Sequence, residues 1–213
     1  MEHEGLDYIV GRQIPGGENA ELVAWAGTNS GPVMAENDEA PINRWKDVLL
    51  PLERLAPDKP LVPEAADQGI QLFGLRHEIC EEMGLGWNRR LDLLRPPLGR
   101  VRMSKKWGFD ERGIGMATQR TVMNLRLLTD TLKAQRERGS AYCIGDSLMA
   151  VDFYWTAMSN LVNLMAPEVC LFDPAIRPAP EHVSTEVVEA VHPILIQHRD
   201  RVMKAHFILP KEL

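Results

Sequence analysis

The chain has 213 residues, of which 45% are hydrophobic and 25% charged, the balance of a soluble globular protein with one large domain or two small ones. Twenty-four lysines and arginines against 30 acids leave a net charge of −6. A net field of that sign repels polyanions and argues against a nucleic-acid partner.

In chain order, Leu6-Asp7-Tyr8-Ile9-Val10 has strand chemistry and is closed by the turn formers Pro15-Gly16-Gly17. Glu18 to Trp25 carries a short helical pattern, and Pro32-Val33-Met34-Ala35 reads as a second short strand. The spacing of Val48, Leu49, Leu52 and Leu55 predicts a helix over about 43–55, kinked at Pro51 because proline lacks the N–H of the helical ladder. Prolines 57, 60 and 63 mark a linker from about residue 56, and so a boundary between residues 1–63 and 64–213.

Beyond Pro63 the pattern is helical. Ile70 to Met83 forms one helix before Gly84 and Gly86, with Trp87 to Leu94 continuing it up to Pro96-Pro97. Thr118 to Arg138 has the clearest stripe, Val122, Leu125, Leu128 and Leu132. The nearly uncharged stretch Leu148 to Met165 predicts a buried central helix, and Glu181–Val191 and Pro193–His206 supply the last two, with Pro193 suited to a first turn. The expected architecture is a small α/β unit followed by an all-helical bundle.

Few motifs carry chemistry. His77-Glu78-Ile79-Cys80-Glu81 begins like a zinc-hydrolase helix but has no histidine at i+4, and His192, His198 and His206 are spaced around a helix rather than toward one ion, so no metal site is expected. There is no phosphate-loop, dinucleotide or Gly-x-Ser-x-Gly signature. Cys80, Cys143 and Cys170 fit neither a disulfide framework nor a paired-thiolate site; they point to a reducing compartment and read as buried, inert thiols. The acidic start lacks a leader pattern, and no apolar run approaches a membrane span, which makes the cytoplasm the expected location. Asp152 stands in an apolar run; it reads as a carboxylate accepting bonds from free N–H groups at a helix start, the alternative being a general base. Gly31-Pro32 is a step that can hold a cis peptide.

Three of these stretches together resemble the glutathione S-transferase family, in a bacterial-type branch. Asn29-Ser30-Gly31-Pro32-Val33 is similar to its cis-proline segment, Pro57 to Pro63 to its interdomain linker, and Gly145-Asp146-Ser147-Leu148-Met149-Ala150-Val151-Asp152 to its core-helix motif. The resemblance implies a thioredoxin-like domain ahead of the helical one. In the family a first strand and helix precede the region that Leu6 to Val10 resembles and supply the group that engages the glutathione sulfur. With Met1 so close to that region, the chain is expected to lack them, through loss or a late start, and no catalytic residue is assigned.

The resemblance further implies glutathione as co-substrate, its cysteinyl part held by backbone groups of Gly31, Pro32 and Val33. Arg44 and Trp45 stand where the family places an acid and a hydroxyl for the γ-glutamyl end. Arg44 would instead pair with a ligand carboxylate, or be a solvated helix-start arginine. By position, His77, Trp87 and Arg90 would line the site of a small electrophile, with plain core packing as the other reading of Trp87. The implied reaction is attack of glutathione thiolate on that electrophile by a homodimer. The alternative is a non-catalytic binding or scaffolding protein with the same fold. In the core motif Met149 replaces the capping hydroxyl, a loss of about 1 kcal/mol unless Ser147 caps one step earlier.

Overall fold

A computed structural model describes residues 1, 3–11, 13–14, 17–93, 111–171, 174 and 177–212, without the side chains of 45–46, 111–114, 179 and 211–212. The turn expected at Pro15-Gly16, the helix stop at Pro96-Pro97 and the side chain of Trp45 lie outside the described residues. The chain divides into two compact units, Met1–Pro60 and Leu61–Leu213.

The first unit holds two helices, α1 (Ala20–Ala26) and α2 (Trp45–Leu55). Helix α1 ends at Gly27, whose φ of 65° is the left-handed conformation that closes a helix without a Cβ penalty. Pro51 lies inside α2 as the sequence predicts. Arg54, in its last turn, pairs with Glu36 and, at 3.2 Å, with Glu39, and so ties the helix to the preceding loop.

The expected strands are largely absent here. Leu6 to Val10 is irregular, with Ile9 100% and Val10 77% exposed. The second candidate is reduced to one antiparallel bridge, Met34 to Ile42, with reciprocal bonds of 2.9 and 2.8 Å. Alternating apolar residues make a strand only when a neighbouring strand receives their backbone groups, and no strand pairs with Leu6–Val10 among the described residues. The α/β description of this unit is corrected accordingly: besides that bridge, no sheet is present among its described residues.

The second unit is a helical bundle. It comprises α3 (Ala66–Cys80), α4 (Leu85–Leu93), α5 (Glu111–Glu137), α6 (Ala150–Met158) with a 3-10 turn at Ser159–Leu161, α7 (Pro178–Glu181), α8 (Thr185–Ala190) and α9 (Pro193–His206). Two short parallel strands, β1 (Cys170–Leu171) and β2 (Lys211–Glu212), pair Cys170 with Lys211. The α3–α4 region is two helices, not one continued: Met83 takes φ 66° and Gly84 packs against the end of α3. The central helix stops at Met158 rather than running to Met165.

The core is built on α6. Val151 and Trp155 are fully buried there, and so, elsewhere in the bundle, are Leu72 and Ile79 of α3, Leu125 and Leu128 of α5, and Leu195 and Val202 of α9. On α5 the stripe Leu125, Leu128, Leu132 faces inward as its spacing demands. Polar anchors lock the bundle: Trp155 Nε1 donates to the Leu195 carbonyl at 3.0 Å, and buried Arg89 reaches the Leu161 and His182 carbonyls and Asp92. Pro193 opens α9, where the His192 ring caps the helix by accepting from the Ile194 N–H at 3.1 Å.

Candidate functional site

In the first unit a polar net fixes the segment around Gly31. Asn19, at φ 47°, accepts from the Ile14 N–H at 2.8 Å and donates to Asn29 Oδ1 at 2.7 Å. Asn29 in turn donates to the Gly17 carbonyl at 2.8 Å, and Gln13 donates to the Asn29 carbonyl at 3.2 Å. Asparagine suits this work because it tolerates left-handed backbone and carries both donor and acceptor. The Gly31-Pro32 peptide is cis and exposed, and Gln13 packs so closely that its Oε1 would lie 3.0 Å from a Cβ on Gly31.

Next in the chain, the Met34–Ile42 bridge settles which backbone groups are open. In an antiparallel pair the hydrogen-bonded residue alternates with one whose N–H and C=O point the other way. Met34 is the bonded residue, so Val33 turns its backbone outward, and its N–H and C=O have no hydrogen-bond partner among the described residues. Because the two segments run antiparallel, Arg44 lies at the same end of the bridge as Pro32. Arg44 is exposed, caps α2 through its backbone and makes no ion pair among the described residues. Gly31, Pro32, Val33 and Arg44 are therefore drawn to one end of one bridge.

In the second unit His77, Trp87 and Arg90 lie on two consecutive helices, α3 and α4. His77 is exposed in the last turn of α3; Trp87 and Arg90 are half-buried on α4. Burial pulls the Arg90 guanidinium below its ordinary range, with Cys80 close enough to oppose the shift.

A cluster that sequence spacing does not announce lies deeper. Asp152 is fully buried and accepts from the Met149 N–H at 2.8 Å and the Cys143 N–H at 2.9 Å. This is the helix-start role expected of it, with no side-chain cap from Met149. His198 Nε2 lies 3.0 Å from Asp152 Oδ1 and 3.8 Å from Cys143 Sγ. Ligand-type atoms of the three residues lie within 4.8 Å of one another, the arrangement of a possible metal cage. The carboxylate also serves two backbone N–H groups, and burial above all, then Asp152, holds the Cys143 thiol well above its ordinary value. The cluster acts as a lock between α6 and α9. The signal for it in the sequence is only that Asp152 sits among apolar residues; its histidine partner lies 46 residues away.

No family model and no curated protein matches the sequence. Solved structures do match in fold. A glutathione S-transferase of Methylobacterium radiotolerans, determined with glutathione sulfonate, is 17% identical over 95% of this chain and 81% of that one, with a TM-score of 0.63. A maleylacetoacetate isomerase of Methylobacterium extorquens, determined with malonate and glutathione, is 18% identical over 93% and 87%, with a TM-score of 0.55. In fold, this chain is a glutathione S-transferase-like protein.

Proposed function

We propose that the protein binds glutathione along the Val33 edge and presents its thiolate to a small electrophile. The observation that carries this reading is the outward backbone of Val33 beside the exposed Gly31-Pro32. An extended peptide can pair with such an edge through main-chain bonds, and a carboxylate of glutathione would find Arg44 at the same end. Both fold neighbours were determined with glutathione or its sulfonate, which supports the same ligand class. His77, Trp87 and Arg90 are the side chains we assign to contact with the electrophile. The chain's own chemical contribution would be orientation of the thiolate and a polar setting that lowers its pKa.

A homodimer fits the exposed apolar side chains Ile70 and Phe73 of α3 and Met116, Met123 and Leu127 of α5. No helix among the described residues is long and apolar enough to cross a membrane. The three free cysteines support the cytoplasmic location we propose. The second reading, a glutathione-binding scaffold without turnover, is favoured by one observation: Cys80, Cys143 and Cys170 are all buried, so none is an exposed thiol ready for exchange.

Calorimetric titration with reduced glutathione tests the binding. Saturable binding tighter than millimolar is expected, weakened about tenfold in Arg44→Ala without loss of thermal stability. No heat at millimolar glutathione overturns the proposal. Turnover of a chloronitroaromatic electrophile then separates enzyme from scaffold.

A further inference from the structure

The end of α5, the turn at 139–141 and the middle of α9 line an open pocket of about 330 Å³ within the helical unit. Its apolar side is Leu132 and Ile194, both buried. Its polar side carries Arg136 and Arg201, and no acidic residue lines it among the described residues.

Neither arginine has a carboxylate within ion-pair distance among the described residues. Arg76, Arg89, Arg177 and Arg199 each have a carboxylate within ion-pair distance. Arg136 instead donates to the neutral Gln197 Oε1 at 3.1 Å. Arg201 donates to the Ala141 carbonyl, lies 3.2 Å from His198 Nδ1, and stacks 4.7 Å over the Tyr142 ring. A guanidinium has five N–H donors, so each keeps charge and donors for a further acceptor.

Two nearby negative features are already spent. The last carbonyls of α5, at Gln135 and Arg136, accept from the N–H groups of residues 138–140. The Asp152 carboxylate, behind the His198 ring, is held by two backbone N–H groups.

We propose that this pocket binds a small organic carboxylate, its charge on Arg136 and Arg201 and its apolar portion on Leu132 and Ile194. The volume is at the small end for ligand sites and suits a single ring or a short chain better than a tripeptide. None of the residues from Gly31 to Arg44 takes part, so the site stands apart from the glutathione reading.

The test uses benzoate as probe on the full chain, followed by amide shifts in a heteronuclear NMR titration, with saturating glutathione present and absent. Saturable shifts at Gly139, Ser140 and Ala141 are expected, unchanged by glutathione and weakened about tenfold or more in Arg136→Gln, whose exposed side chain the fold does not need. Arg136→Lys should restore part of the affinity. Equal binding of benzyl alcohol, equal binding of inorganic phosphate, displacement by glutathione, or indifference to Arg136→Gln would each overturn the proposal.

Discussion

His198 Nε2, on α9, lies 3.0 Å from Asp152 Oδ1, in the first turn of α6, with both side chains sealed from solvent. The other ring nitrogen, Nδ1, lies 3.2 Å from both the Ala141 carbonyl oxygen and the Arg201 guanidinium. The carboxylate also takes the backbone N–H groups of Met149 and Cys143, so one side chain organises a helix start, the preceding turn and a second helix.

Replacement of Asp152 by Ala should therefore cost about 3–5 kcal/mol, because it leaves buried donors without an acceptor. His198→Ala should cost less, and a double-mutant cycle should show a coupling of about 1–3 kcal/mol between the two. Urea denaturation measures all three; simple additivity would show that the two side chains are not energetically coupled.

Gly84 is a second fixed point. A Cβ there would meet the carbonyl oxygens of His77 at 2.6 Å and of Glu78 and Glu81 at 2.9 Å, all backbone atoms that cannot swing away. Gly84→Ala should destabilise the protein by about 1–3 kcal/mol by forcing the α3–α4 junction apart. Thermal melting checks it, and Gly74→Ala, where a Cβ meets nothing within 4 Å, is the control.

Burial pushes the Cys80 thiol from 9.0 up to about 12, against an opposing pull from Arg76. In the unfolded chain the thiol ionises near its ordinary value while the folded one stays protonated. This group's contribution to stability is thus intact below pH 9 and is lost as pH rises toward 12. Cys80→Ala should flatten the alkaline limb of the stability profile. In the native protein, disulfide reagents at neutral pH should label Cys80 and Cys143 only at the rate of unfolding.

Met123 is 57% exposed on α5, with Leu127 one turn later at 42%. If these side chains are covered by a second copy, light scattering should give twice the 24.0 kDa chain mass, and Met123→Glu should shift the equilibrium to monomer with little change in helicity. A monomer in the unmodified protein would remove the dimer from the proposal.

The sequence by itself carried the helical unit: Leu125, Leu128 and Leu132 repeat at helical spacing, Pro193 marks a helix start, and Asp152 can survive among apolar residues only as an acceptor of backbone bonds. These are local signals, readable because helix hydrogen bonds close within four residues. What Leu6–Val10 becomes depends on a neighbouring strand, which no local pattern supplies, and its strand chemistry ended in exposed coil. Likewise, only the packed bundle decided that His198 meets Asp152 and that Arg136 and Arg201 line one pocket, because contacts between residues tens of positions apart are made by the way helices pack rather than by their spacing along the chain.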